Sequence, residues 1–130
     1  MKIAVVGSRN FNDYELLKEF LDQENITHLI SGGAPGADTL AVDYAIENNI
    51  PYTIHYAKWD DLSHPNAVIK VNKGGKKYDA LAGFRRNTAI VKDCDKLIAF
   101  HDSASKGTLD SMEKAYKYKK KIKIIKYLML

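Results

Sequence analysis

"LISGGAPGADTLA", residues Leu29 to Ala41, places three glycines and a proline between Gly32 and Gly36. An apolar run precedes them and a helix-periodic run follows, so the stretch reads as a strand turning into a helix. Two readings fit so little side chain. One is a tight turn. The other is a backbone that a ligand approaches closely. In the second, glycines open a path to the first N–H groups of the next helix. Those donors lack intrahelical partners and sit at the positive end of the helix dipole, which suits an anion. On that reading, Gly33→Val or Gly36→Val is expected to block an anion and leave the fold intact.

Outward from this turn the chain alternates. Lys2 to Val6, Thr27 to Ile30, Pro51 to Tyr56, Lys96 to Phe100 and Lys121 to Tyr127 read as strands, the last with alternating lysines on a partly exposed face. Helices are expected from about Asp13, from the glycine turn to Asn48-Asn49, over Asp79 to Asp93, and over about Thr108 to Lys119. Residues at about 57–78 lose the pattern and read as a loop or small insertion, with a short strand at Ala67 to Val71. Strands alternating with helices imply an α/β, mainly parallel sheet with right-handed crossovers. The expected order is 3-2-1-4-5, and ligands in such sheets sit beyond the carboxyl ends of the strands at the switch point.

Three loops meet on that edge, and each carries phosphate-binding chemistry. Gly7, Ser8 and Arg9 follow the first strand. Ser31, Gly32, Gly33, Gly36 and Asp38 form the second loop. Ser105, Lys106, Gly107 and Thr108 form the third. None is a G-x-G-x-x-G fingerprint or a P-loop. Arg86 and Asn87, on the helix before the fourth strand, reach the same edge if the preceding loop folds over it. Arg86 could then clamp an anion bidentately, while Arg85 points elsewhere. Trp59 packs or stacks on a base.

The 130 residues are 45% hydrophobic and 28% charged, with net charge +4, and are expected to form one domain over 1–130. No apolar run approaches the ~18 residues of a membrane span, and Met1 leads directly into strand-like sequence with no signal peptide. A cytoplasmic protein without membrane contact is expected. The single cysteine, Cys94, excludes an intrachain disulfide and reads as a core residue. The histidines show no helical H-x-x-x-H pair, so no metal site is expected. No G-x-S-x-G elbow is present. Seven lysines fall between Lys114 and Lys126, and Lys70, Lys73, Lys76 and Lys77 form a second cluster. They read as solvated faces or as a surface for phosphates or nucleic acid.

The segments "GSRNFND", "SGGAPGADTLA", "AKWDD", "AGFRRNTAI" and "SKGTLD" resemble, in order and spacing, the YspA-like branch of the SLOG superfamily, which also includes the LONELY GUY phosphoribohydrolases and DprA. The resemblance runs from Ile3 to about Ile125. It implies a Rossmann-like three-layer domain that binds nucleotides or nucleotide-derived molecules, some relatives sensing them and others cleaving N-glycosidic bonds. Relatives often form dimers or larger assemblies, so a homo-oligomer is expected; no cofactor is expected. Gly32, Gly33, Gly36 and Asp38 match the family's phosphate loop, and Arg86 and Asn87 its Arg-Asn pair. Arg86 falls where the phosphoribohydrolases carry a catalytic arginine. Gly107 and Thr108 match their P-G-G-x-G-T-x-x-E motif, but its glutamate falls on Ser111 here. Asp38 and Asp110 are the candidate substitutes. The expectation is a binding protein for a nucleotide-derived ligand. The alternatives are an N-glycosidic hydrolase and a DprA-like nucleic-acid binder.

Overall fold

A computed structural model describes residues 1–127. Strands are β1 (Lys2–Gly7), β2 (His28–Ser31), β3 (Tyr52–Ile54), β4 (Ile69–Val71), β5 (Lys77–Asp79), β6 (Lys96–His101) and β7 (Lys121–Lys126). Helices are α1 (Tyr14–Leu21), α2 (Ala37–Glu47), α3 (Ala82–Asp93) and α4 (Lys106–Lys117). Five strands form one parallel sheet in the order β3-β2-β1-β6-β7. This is the expected 3-2-1-4-5, because β4 and β5 pair antiparallel in a separate hairpin.

Side chains alternate across a strand, so each face of the sheet feeds its own core. Ile3 and Val5 of β1 join Ile98 and Phe100 of β6 under α1 and α2. Ala4 and Val6 join Leu97 and Ala99 under α3 and α4. That is the three-layer arrangement, and each fully buried Leu or Ile stabilises it by about 1.5–3 kcal/mol. Cys94 lies in the second core, 1% exposed, and burial pushes its thiol up to about 11. Among the described residues no helix is long and apolar enough to cross a membrane.

Three boundaries differ from expectation. The irregular stretch contains the β4–β5 hairpin rather than one strand. α3 starts at Ala82, three residues after the expected Asp79, because Asp79 ends β5. Its buried carboxylate accepts the Val68 and Leu81 amides at 3.2 and 3.0 Å and pairs with Arg85. It thereby ties the hairpin to the first turn of α3. α4 starts at Lys106, two residues early, because Ser105 caps it by accepting the Thr108 amide.

The glycine-rich turn is packed by the protein itself. Gly36 has φ +87°, and a Cβ there would stand 2.3 Å from Ser8 O and 2.6 Å from Arg9 O. Only glycine fits that conformation and that approach. Valine at Gly36 would therefore disturb the fold, contrary to expectation. Gly33 is similar: φ is +70°, and a Cβ would meet Ile54 at 2.7 Å.

Candidate functional site

The β1 and β6 strands lie side by side while their following connections part to opposite faces, which opens a crevice at their carboxyl ends. A cleft of about 240 Å³ occupies it. Gly7 and Arg9 enter from the loop after β1, and Asp38 from α2. Arg86 and Asn87 enter from α3, and Ser105, Gly107 and Thr108 from the start of α4. Trp59 reaches in from the irregular stretch.

The remaining expected residues do not line this cleft. Ser31 is buried, donates to Asp38 O at 3.0 Å and accepts the Gly33 amide, so it fastens the turn to α2. Ser8 is also buried. Its hydroxyl pairs with Asn10 at 2.7 Å and with the Tyr127 hydroxyl. Gly32, Gly33 and Gly36 lie behind the wall. Lys106 is exposed and outside the lining. Asp110 turns toward α3, where its Oδ2 accepts from Asn87 Nδ2 at 3.1 Å and Lys114 Nζ at 2.7 Å. Of the two candidate carboxylates, Asp38 alone lines the cleft.

Asp38 fills the place expected for an anion in the glycine turn. Its Oδ2 accepts the Ala34 amide at 3.4 Å. A Cβ at Gly32 would stand 2.7 Å from Asp38 Oδ2 and 2.8 Å from Arg86 Nη1. The missing side chain at Gly32 thus lets an internal carboxylate and guanidinium come together. Burial pushes the Asp38 carboxyl up to about 6, opposed by the positive charge of Arg86, the Ala34 and Gly32 amides, and Arg9. Burial also lowers the Arg86 guanidinium from its ordinary value, and Asp38 opposes that shift. Arg86 Nη1 donates to Gly32 O at 2.8 Å and its Nε to Asn87 Oδ1 at 3.1 Å. Its Nη2 has no acceptor among the described residues.

The start of α4 is different. Nothing lies within 4 Å of a Cβ built on Gly107, and among the described residues no acceptor serves the Lys106 and Gly107 amides. Both sit at the positive end of the α4 dipole, and Gly107 lines the cleft. Arg9, exposed on the cleft wall, forms no ion pair among the described residues.

Trp59 is 37% exposed and packs edge-on to Tyr78, with ring centroids 6.4 Å apart. A Cβ at Gly83 would stand 2.8 Å from Trp59 Cη2, so that glycine seats the ring against α3. Phe84, 42% exposed, adds a second aromatic wall that the sequence reading missed. Its adjacency to the arginine pair was the available signal. Ser111, where the motif resemblance puts the phosphoribohydrolases' glutamate, lines the cleft and donates to Gly107 O at 3.3 Å. The described residues hold no cluster of three or more His, Cys, Asp or Glu side chains that could ligate a metal ion.

Comparison with known proteins agrees with the geometry. DNA processing protein A (DprA) of Streptococcus pneumoniae superposes with a TM-score of 0.74 at 24% identity, over 99% of this chain and 51% of that one. DNA processing protein A of Helicobacter pylori, described as binding single-stranded DNA, gives 0.63 at 20% identity, over 95% of this chain and 64% of that one. At such identities the likeness is one of fold, and this chain spans about half to two thirds of those proteins. No curated protein matches it. Residues 1–61, which include β1, the glycine-rich turn and Trp59, match the family model of the YspA, cpYpsA-related SLOG family. The resemblance carried by the sequence motifs is thus borne out over residues 1–61, just under half of the chain, which are similar to the YspA, cpYpsA-related SLOG family.

Proposed function

We propose that this chain binds a nucleotide or nucleotide-derived ligand, with a phosphate at the start of α4 and a base toward Trp59 and Phe84. One observation carries the reading. Residues with unspent donors of three kinds line one cleft: Gly107 with its amide, Arg86 with its Nη2 and Arg9 with its guanidinium. The aromatic side chains of Trp59 and Phe84 line the same cleft. Donors that fit an anion, beside rings that fit a planar base, describe a nucleotide better than either half alone. The glycine-rich turn supports the site from behind by seating Asp38 and Arg86.

Gly107→Val tests this. Space around Gly107 is open, and valine is a slightly better helix former than glycine, so the variant should fold. Its side chain would cover the α4 amides. Calorimetry against nucleoside monophosphates should show binding weakened by about tenfold or more, ~1.4 kcal/mol. Unchanged affinity in a folded variant would remove the phosphate from α4. Native mass spectrometry against a nucleotide panel would identify the ligand by mass, and would show whether copies of the chain assemble.

A second reading, single-stranded nucleic acid, is favoured by the likeness to the H. pylori protein. Several lysines of the Lys114–Lys126 cluster are already engaged. Lys114 bonds Asp110 and Phe84 O, Lys117 lies over Tyr118, and Lys123 over Phe20. Steep loss of oligonucleotide binding with salt would favour this reading. A small-ligand complex that is nearly insensitive to salt would favour the first.

A further inference from the structure

A second cleft, about 560 Å³, lies on the other flank of α3 against the end of β3. It is larger than the first. The two clefts share one lining residue, Arg86. Ile54, Ala82 and Ala89 supply apolar wall, and the Tyr56 ring stands exposed at its edge.

The charges facing this space are largely settled except on one side. Arg85 is paired with Asp79. His55 Nε2 is held at 2.9 Å by Asp93 Oδ2. Asp61 accepts the Ser63 amide and hydroxyl at 3.0 and 2.5 Å, and these bonds hold its carboxyl below the ordinary range. Lys58 lies near Asp61 but forms no ion pair among the described residues. Two cations therefore keep unspent capacity: Lys58 on this cleft, and Arg86, whose side chain borders both clefts and whose Nη2 has no acceptor among the described residues.

We infer that the ligand is two nucleotide units long: the first fills the cleft at α4, the linking phosphodiester crosses at Arg86, and the second nucleoside lies in the cleft lined by Lys58 and His64. The inference rests on the nucleotide reading of the first cleft. A phosphodiester carries one negative charge and sits between two nucleosides. That matches one shared guanidinium between two partly apolar spaces with aromatic rims. A residue that borders both clefts is also better placed for a bridging anion than for a terminal one.

The test compares each of the four deoxynucleoside 5′-monophosphates with its 5′-phosphorylated homodinucleotide. Binding is measured by calorimetry on the whole chain at one fixed salt concentration. At least one dinucleotide should bind about tenfold or more tightly than its monophosphate. The double variant Lys58→Ala/His64→Ala changes two exposed side chains outside the first cleft. It should bring that dinucleotide down to the monophosphate's affinity and leave the monophosphate unchanged. Dinucleotide binding with no measurable monophosphate binding also supports the inference, provided that the double variant abolishes it. Equal affinity for both lengths in the parent would overturn the inference while the first cleft's reading stands. So would an equal loss for both in the double variant, which would mean general electrostatics. Failure of every nucleotide to bind would overturn both.

Discussion

At the scale of the residue, Asp38 decides how the cleft responds to pH. It is 6% exposed, and its carboxyl titrates near 6 when folded against 3.8 as a free group. Well below pH 3.8 the carboxyl is protonated in both states, and its burial carries no charge penalty. Between those values the folded chain holds a proton that the unfolded chain has lost. Stability therefore falls as pH rises through this window, and above about pH 6 the whole penalty of about 3 kcal/mol is present. Asp38→Asn removes the titration and keeps one acceptor for the Ala34 amide. Urea unfolding of parent and variant at pH 4 and pH 7.5 should show the difference moving in the variant's favour by up to about 3 kcal/mol at the higher pH. Parallel curves would place the carboxyl's titration elsewhere. The glycines belong to the same scale. Gly36 answers to Ser8 O and Gly107 to nothing, so the two look alike in sequence and differ in what a side chain would meet.

At the scale of the element, α3 divides its two arginines between its flanks. Arg86 holds Gly32 O and Asn87 Oδ1 and borders both clefts, whereas Arg85 holds the buried Asp79. Lysine cannot reproduce a planar fork, so Arg86→Lys should weaken nucleotide binding by about 1–3 kcal/mol. Arg85 was expected to point away from the site. Arg85→Lys should indeed leave affinity unchanged, but its lost fork to Asp79 should lower the unfolding midpoint, read by circular dichroism. Equal effects on affinity would mean a diffuse basic patch. The same helix shows what a sequence conveys. The long buried strands were legible because Lys2 to Val6 and Lys96 to Phe100 are continuous apolar runs, and their order followed from parallel crossovers. The β4–β5 hairpin was only half legible. Its strands are three residues each and mostly exposed, so no periodicity marks them. Asp79 looked like a helix start because its partners Val68, Leu81 and Arg85 meet only in the fold. Asp38 matched a phosphate-loop position, but nothing in the residue order tells whether the turn's amides face a ligand or that carboxylate.

At the scale of the whole molecule, the arrangement favours holding a ligand over cleaving it. Breaking a base-ribose bond builds positive charge on the sugar, and a carboxylate placed beside it stabilises that charge. By the motif resemblance alone, the phosphoribohydrolases' glutamate falls on Ser111, whose hydroxyl donates to Gly107 O. Asp110, the neighbouring candidate, is committed to Asn87 and Lys114 between α3 and α4. Asp38 remains, but it is fixed within the glycine turn beside Arg86, whose positive charge offsets the negative charge such a step needs. The unaltered chain should therefore bind nucleoside monophosphates without releasing free base. Chromatography of a monophosphate panel after incubation with the protein checks this directly, with Asp38→Asn and Asp110→Asn run beside it. Turnover by the parent that Asp38→Asn abolishes would make Asp38 the catalytic carboxylate and the chain a hydrolase. Turnover lost with Asp110→Asn instead would require Asp110 to leave Asn87 and Lys114 and rotate into the cleft when ligand binds. Absence of base release from all three proteins, alongside measurable binding by the parent, is the expected result. It would leave sensing or sequestration as the work of the cleft.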